Sequence, residues 1–233
     1  MKIALCLLTL NEIDCLKIIF PKIQKPNDIC GYQMIYAIDG GSIDGTQEFF
    51  KENNIEIIGQ SKKGRGEAFK LAFEKVNADA YIFFSPDGNE NLDDLQKFSQ
   101  FFKNGAELVI ASRMMPGAFN EEDISWWRPR KWANLVFNLL ANLAFNNSDK
   151  YISDSINGFR GITRQSAKKL QLSASDYTIE YQMTIQAMKK KINIVEFPTH
   201  EGQRVAGKSG ILSLPAGIRF IKRFFYELFR FKT

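Results

Sequence analysis

Short apolar runs alternate with amphipathic stretches through the first half of the chain. Residues 3–10 predict a buried strand and 12–20 a short helix. A second strand is expected over 33–38, a helix over 45–53 and a third strand over 55–59. Residues 66–76 place Ala68, Phe69, Ala72, Phe73 and Val76 at helical spacing. Residues 80–84 predict a fourth strand, 92–102 a helix and 107–111 a fifth strand. This order gives an α/β fold: a mostly parallel sheet with helices on both faces. Neither internal repeats nor a low-complexity linker interrupts it.

The second half reads differently. Residues 132–145 are strongly apolar, yet Asn134, Asn138, Asn142 and Asn146 recur every four residues, which puts an amide stripe along one helix face. Helices are expected over 166–170 and 179–189 and a strand over 192–197. From Gly217 onward, Ile218, Ile221, Phe225, Leu228 and Phe229 follow helical spacing, interleaved with Arg219, Lys222, Arg223, Arg230 and Lys232. Residues 211–233 therefore form an amphipathic basic tail, which fits an interfacial helix on anionic lipid, or packing onto the domain or a dimer partner.

At 233 residues, 45% of them hydrophobic, the chain suits one domain with a sizeable core and a small appendage. A net charge of +5 is mild support for an anionic partner. Three cysteines, Cys6, Cys15 and Cys30, form no C-x-x-C pair, so reduced thiols in a cytosolic setting fit best. The single histidine, His200, removes His-rich metal sites and most nucleophile–His triads. The N-terminus lacks a signal-peptide cleavage pattern, and no stretch reaches the roughly 18 apolar residues of a spanning helix. Dispersed basic residues and core-facing aromatics argue against nucleic acid.

In open α/β sheets, ligands lie outside the carboxyl ends of the strands. Three polar clusters fall there: Thr9-Leu10-Asn11-Glu12, Asp39 through Thr46, and Ser85-Pro86-Asp87-Gly88-Asn89. They should gather on one edge. Asp39 ends a strand as an acceptor suited to a base N–H or a ribose hydroxyl, and Gly40-Gly41 allows close backbone approach. Asp44 reads as a cap for the helix that follows. Asp87 and Asn89 offer two oxygens at i, i+2, suited either to a hard cation with open positions for diphosphate or to a plain turn. Gly64-Arg65-Gly66 could bring a guanidinium and backbone N–H groups to phosphate, or simply enter a helix. Arg113, Arg128, Arg130, Arg204, Lys208 and Ser209 come from separate segments that together would suit a diphosphate leaving group.

Taken in order, these clusters, together with Asp154-Ser155-Ile156-Asn157-Gly158-Phe159-Arg160 and the segment from Arg204 to Ser209, resemble the family 2 glycosyltransferases of the GT-A fold. The nearest branch is similar to the dolichol-phosphate mannose synthase and polyprenyl-phosphate sugar transferase group, over roughly residues 1–210. The resemblance implies a nucleotide-binding half over 1–115 and an acceptor half over 116–210. It implies that Thr9, Asn11, Glu12, Asp39, Gly41, Ser42, Arg65, Asp87 and Arg113 bind the donor. Arg128, Arg204, Lys208 and Ser209 would contact donor or acceptor phosphates, and Asp87 with Asn89 would hold a divalent cation, Mg or Mn. The family has a second aspartate where this chain has Gly40, and a D-x-D motif where it has Ser85-Pro86-Asp87, so the metal site is weakened by one carboxylate.

The expected chemistry is inverting hexosyl transfer from a nucleotide diphosphate sugar to a polyprenyl phosphate or a cell-envelope glycan. A hydroxyl acceptor needs a base; Asp154 is the first candidate and Glu180, expected on an exposed helical position, the second. A phosphate acceptor needs none. The expected location is cytoplasmic, peripheral on the inner face of the cytoplasmic membrane where the acceptor is a lipid, with oligomeric state left open. The alternative is a nucleotide-sugar-binding protein without catalysis, motivated by the carboxylates absent at Gly40 and Ser85. A nucleotidyltransferase would carry a Gly-rich phosphate loop where this chain has Thr9-Leu10-Asn11-Glu12.

Overall fold

The computed structural model describes residues 1–23, 30–206 and 213–230. A seven-stranded sheet with the order β3-β2-β1-β4-β6-β5-β7 runs through it. The central strand β1 (Ile3–Thr9) is parallel to β2 (Met34–Asp39) on one side and to β4 (Ala80–Phe84) on the other. β3 (Glu56–Gly59) extends the parallel set beyond β2. Register places Thr9 opposite Asp39, and Asp39 opposite Gly59, so these strands end together on one edge.

Both faces of the sheet are covered, which is why β1 is apolar at every position but its last. Ala4, Cys6 and Leu8 join one core, with α3 (Arg65–Lys75) and α7 (Ile179–Lys189) packed over it. Ile3, Leu5 and Leu7 point the other way, into a core closed by α1 (Ile13–Ile19), α2 (Thr46–Glu52) and α4 (Leu95–Lys103). Alternation of side chains along an extended strand produces this division.

The chain pattern does not reveal one strand. β6 (Arg160–Thr163) lies antiparallel between β4 and β5 (Leu108–Ser112). It is short, and it begins on a fully buried arginine. The Arg160 guanidinium donates to the carbonyls of Asn157 (2.6 Å), Glu180 (2.8 Å) and Ser155 (3.3 Å) and to Thr184 Oγ1 (3.0 Å). Burial lowers its pKa to about 10, still charged at neutral pH. β7 (Ile194–Pro198) pairs in parallel with β5 at the far edge. Residues after 115 thus supply two strands of the one sheet rather than a separate layer.

The amide stripe has a structural purpose. On α5 (Pro129–Phe145), Asn138 donates to Ser153 O (2.5 Å) and accepts from Ser155 N (2.9 Å). Asn142 exchanges both bonds with the Ile152 backbone (2.8 and 2.9 Å), and Asn146 donates to Lys150 O (2.8 Å). The stripe pins the segment 150–155, which has no regular structure of its own. A short helix, α6 (Arg164–Lys169), follows β6.

The tail helix α8 (Ser213–Phe229) docks on α5 and α7. Phe220 meets Phe137 (5.3 Å) and Tyr181 (5.6 Å), and Phe224 meets Phe145 (5.4 Å). Glu227 is buried and accepts from the Gln182 amide (2.6 Å). Among the described residues, no helix is long and apolar enough to cross a membrane.

Candidate active site

The three polar clusters do meet on one edge. They line a cleft of about 870 Å³ with Thr9 through Glu12 from the end of β1, Gly40 from β2, and Ser85, Asp87 and Asn89 from β4. Gln60, Lys63 and Gly64 come from the connection between β3 and α3, and Arg65 from the start of α3. Glu121, Arg130, Gln203 and Arg204 close the other side.

The loop after β2 is held by its own side chains. Asp39 is 0% exposed and does not line the cleft. Its carboxylate accepts from Gly41 N (2.9 Å), Ser42 N (2.8 Å) and the Gln47 amide (3.3 Å). The donor-contact role expected of Asp39 is therefore corrected: the group is engaged in folding the loop. Gly41 has φ +91°, and Ser42 Oγ accepts from Asn11 N (2.9 Å). Asn11 Oδ1 in turn accepts from Ile43 N (2.9 Å), so these residues lock two strand-end loops together. Asp44 accepts from Thr46 N and Ile13 N (3.0 Å each), in keeping with the capping reading.

Asp87 sits deeper. Arg204 donates to Asp87 Oδ2 (3.2 Å) and bidentately to Glu12 (2.7 and 2.9 Å). The strap that carries Arg204 is tied down by Val205 N to Asp87 O (3.2 Å) and Gly202 N to Asn89 O (2.8 Å). Gly88, at φ +82°, permits this approach, since a Cβ there would stand 2.6 Å from Val205 Cγ2. Burial pushes the Asp87 carboxyl up, partly offset by the Arg204 charge. Burial and Asp87 together hold the neighbouring Glu90 well above the usual carboxylate range.

Among the described residues, four buried side-chain polar atoms lack a hydrogen-bond partner: Thr9 Oγ1, Asp87 Oδ1, Asn89 Oδ1 and Glu180 Oε2. Buried polar atoms are normally paired; three of these four belong to residues that line the cleft, Thr9, Asp87 and Asn89, and mark groups suited to a ligand. Asp87 Oδ1 and Asn89 Oδ1 are pure acceptors, which fits a hard cation. No cluster of three or more His, Cys, Asp or Glu side chains is placed to hold a metal among the described residues. A divalent cation here would take two protein oxygens and complete its shell from diphosphate and water.

Arg65 lines the cleft from the first turn of α3. Its Nε pairs with Glu180 Oε1, and its Nη1 donates to Ser85 Oγ (3.1 Å). Glu180 is 2% exposed rather than on an open helical face, because α7 is buried on every side. Its paired oxygen orients Arg65. Gly158 leaves the room: a Cβ there would overlap Arg65 Nη2. Gly158→Ala should therefore displace Arg65 and leave the buried Glu180 carboxylate without its partner. The expected result is a loss of about 10–100-fold in kcat/KM together with a lowered melting temperature; wild-type kinetics in the folded variant would show that Arg65 has no such role.

Asp154 is also placed differently from a base. It is fully buried, and its two oxygens accept from Arg113 N (3.1 Å), Nε (2.8 Å) and Nη2 (3.1 Å) and from Asn157 N (3.1 Å). Burial alone would raise its pKa, but the Arg113 charge and hydrogen bonds outweigh that and hold it low. Such a group stays ionised and has no lone pair free to take a proton. Arg113 is engaged by Asp154 and Glu201 and does not line the cleft, contrary to the donor contact expected of it. Arg128 is likewise tied to Asp123 (2.8 Å) outside the cleft, whereas Arg130 reaches it. Lys208 and Ser209 lie outside the described residues.

This arrangement agrees with sequence comparison. The profile of Glycosyl transferase family 2 matches residues 10–170. The chain belongs to that family. Curated relatives of this family 2 chain include glycosyltransferase AglJ of Haloferax volcanii, 29% identical over 72% of this chain and 54% of the relative. Dolichol-phosphate mannosyltransferase of Pyrococcus furiosus is 24% identical over 90% and 59%, and polyprenol monophosphomannose synthase of Mycolicibacterium smegmatis is 26% identical over 86% and 77%. The chain thus spans little more than half the length of the first two. In structure it is similar to glucosyl-3-phosphoglycerate synthase of Mycobacterium tuberculosis solved with Mn2+, UDP and glucosyl-3-phosphoglycerate. That comparison gives a TM-score of 0.70 at 14% identity, covering 97% of this chain and 80% of that one. The fold is GT-A.

The family 2 site also contains residues that sequence reasoning passed over. Gln60 follows β3 directly, so the strand-end rule applied to Asp39 would have found it. Lys63 stands exposed at the rim with no acidic partner among the described residues. Glu201, behind the cleft between Asn89, Arg113 and Asn120, supports it without lining it and carries no local signal, because its partners come from distant segments.

Proposed function

We propose that the chain is an inverting glycosyltransferase that moves a sugar from a nucleotide diphosphate sugar to a polyprenyl phosphate at a bilayer surface. The observation that carries the donor half is the cleft itself, where unpartnered Asp87 and Asn89 oxygens face the same space as Arg65 and Arg204. Such a set binds a diphosphate and stabilises it as it leaves. A bound Mg or Mn would add Lewis-acid stabilisation of the same oxygens. UDP and Mn2+ in the similar structure support this reading.

Two features favour an anionic lipid acceptor. A phosphate attacks without a base, which suits a site where Asp154 is fully engaged. The outer faces of α5 and α8 are also apolar and adjacent. Leu139, Leu143, Ile221, Phe225 and Phe229 are exposed there, with Leu143 at 77% and Phe229 at 60%. Trp126, Trp127 and Trp132 cluster at the start of α5, and Arg219, Lys222 and Arg223 flank the face on α8. Aromatics and cations around an apolar face suit an anionic bilayer. The names of the Pyrococcus and Mycolicibacterium relatives point the same way.

The test uses liposomes containing anionic lipid and polyprenyl phosphate, supplied with UDP- and GDP-sugars and Mn2+. Sugar should appear on the lipid. Leu139→Glu with Phe225→Glu should weaken flotation with the vesicles at least about tenfold without lowering the melting temperature. Deleting α8 is the wrong variant, since it would uncover the α5 and α7 core. Nucleotide-sugar binding with no transfer to lipid or soluble acceptors would favour the binding-protein alternative.

A further inference from the structure

The cleft is densely charged at one end and mostly neutral at the other, where Lys63 stands exposed at the rim. Arg65, Arg204 and Asp87 mark the first, beside β4. Gly40, Gln60 and Thr9 mark the second, beside the ends of β3, β2 and β1, with Leu8, Ile38 and Ala68 as apolar lining. A nucleoside diphosphate has the same polarity along its length: a flat neutral ring at one end and an anionic diphosphate at the other.

Gln60 is fixed at the neutral end. Its backbone N donates to Asp39 O (2.8 Å), and its side-chain Nε2 donates to Gly64 O (2.9 Å) and Lys62 O (3.3 Å). Both partners are carbonyls, which only accept, so the amide nitrogen must lie on that side. Oε1 therefore faces the other way, and no described residue donates to it. It stands 3.2 Å from the point where a Cβ on residue 40 would be, with Leu10 Cδ1 at 3.4 Å from the same point. Gly40 has no left-handed φ, so the backbone does not require glycine there. What its missing side chain provides is space beside a fixed acceptor. Thr9, 5% exposed, adds a buried hydroxyl with no partner at the same end.

We infer that Gln60 reads the nucleobase of the donor: Oε1 accepts an N–H from the base edge in the space over Gly40, and the Thr9 hydroxyl pairs with a further polar atom of the nucleoside. This rests on the nucleotide-sugar reading above. Base selection in this chain thus lies with a neutral amide from β3 rather than with a carboxylate from β2.

Calorimetric titration tests it. UDP, GDP, ADP and CDP are titrated into the wild-type chain with Mn2+, and the tightest becomes the probe alongside inorganic diphosphate. Gln60→Ala should weaken the nucleotide by about tenfold and leave inorganic diphosphate unchanged. Gly40→Ala, whose Cβ crowds Oε1, should show the same selective loss. Unchanged nucleotide affinity in Gln60→Ala overturns the inference, and so does equal weakening of both ligands, which would mark Gln60 as a loop support for Gly64 and Arg65. If inorganic diphosphate binds but none of the four nucleotides binds more tightly, the base subsite is absent. If neither class binds the wild-type chain, the nucleotide-sugar reading falls as well.

Discussion

Replacing Asp154 with alanine is expected to lower the unfolding free energy by about 3–5 kcal/mol, the usual cost of removing one partner from a buried ion pair. The residue is fully buried, and Arg113 makes three bonds to it. Without it the guanidinium keeps only the longer contacts to Glu201, at 3.3 and 3.4 Å. Domains of this size are stable by only about 5–15 kcal/mol, so the loss is a large fraction of the whole. The pH dependence follows from the direction of the shift. The folded-state pKa of Asp154 lies below its ordinary value of about 3.9. Its contribution is therefore fully present above about pH 4 and is lost as pH falls through the lower, folded value. Urea unfolding at pH 7 and pH 3 should show the wild-type advantage over Asp154→Ala shrinking at the acid end. A variant of normal stability that had lost only transfer would restore Asp154 as a base.

The Asp154 result bears on what a sequence can reveal. Strands β1, β4 and β5 were legible because a strand covered on both faces is a continuous apolar run, and nothing else explains residues 3–9 or 80–84 so simply. The edge that carries the cleft followed from their parallel order. β6 was not legible, because it has four residues and starts with an arginine whose four acceptors lie in the 155–157 loop and in α7. Asp39 shows a different limit. Its place at a strand end was correct, but a carboxylate there can face the cleft or turn back onto Gly41 and Ser42, and sequence spacing does not distinguish the two. Ion pairing is hidden for the same reason: Arg113 and Arg128 read as free cations until their partners Asp154 and Asp123 are placed.

Asp87→Ala should reduce transfer by about 10²–10³-fold, the range seen when one preorganised stabilising group is removed from a reacting centre. Asp87 is where the charges of the site converge. One oxygen faces Arg204, and the other is buried without a partner. Ser85 stands where a second carboxylate could share the load and contributes only a hydroxyl, which accepts from Arg65. The chain therefore depends on a single acid at this point. Its removal leaves Arg204 paired with Glu12 alone, so the strap should hold and the melting temperature should change little. Manganese titration by electron paramagnetic resonance separates the contributions. Wild type should retain Mn2+ far better with UDP or GDP present than without, because Arg204 already occupies one Asp87 oxygen and the diphosphate supplies the missing ligands. Asp87→Ala should lose that nucleotide-dependent retention. Arg204→Met, by freeing the Asp87 carboxylate, should bind Mn2+ alone more tightly than wild type. Full transfer activity in Asp87→Ala, or Mn2+ retention indifferent to both substitutions, would place the reacting centre elsewhere in the cleft.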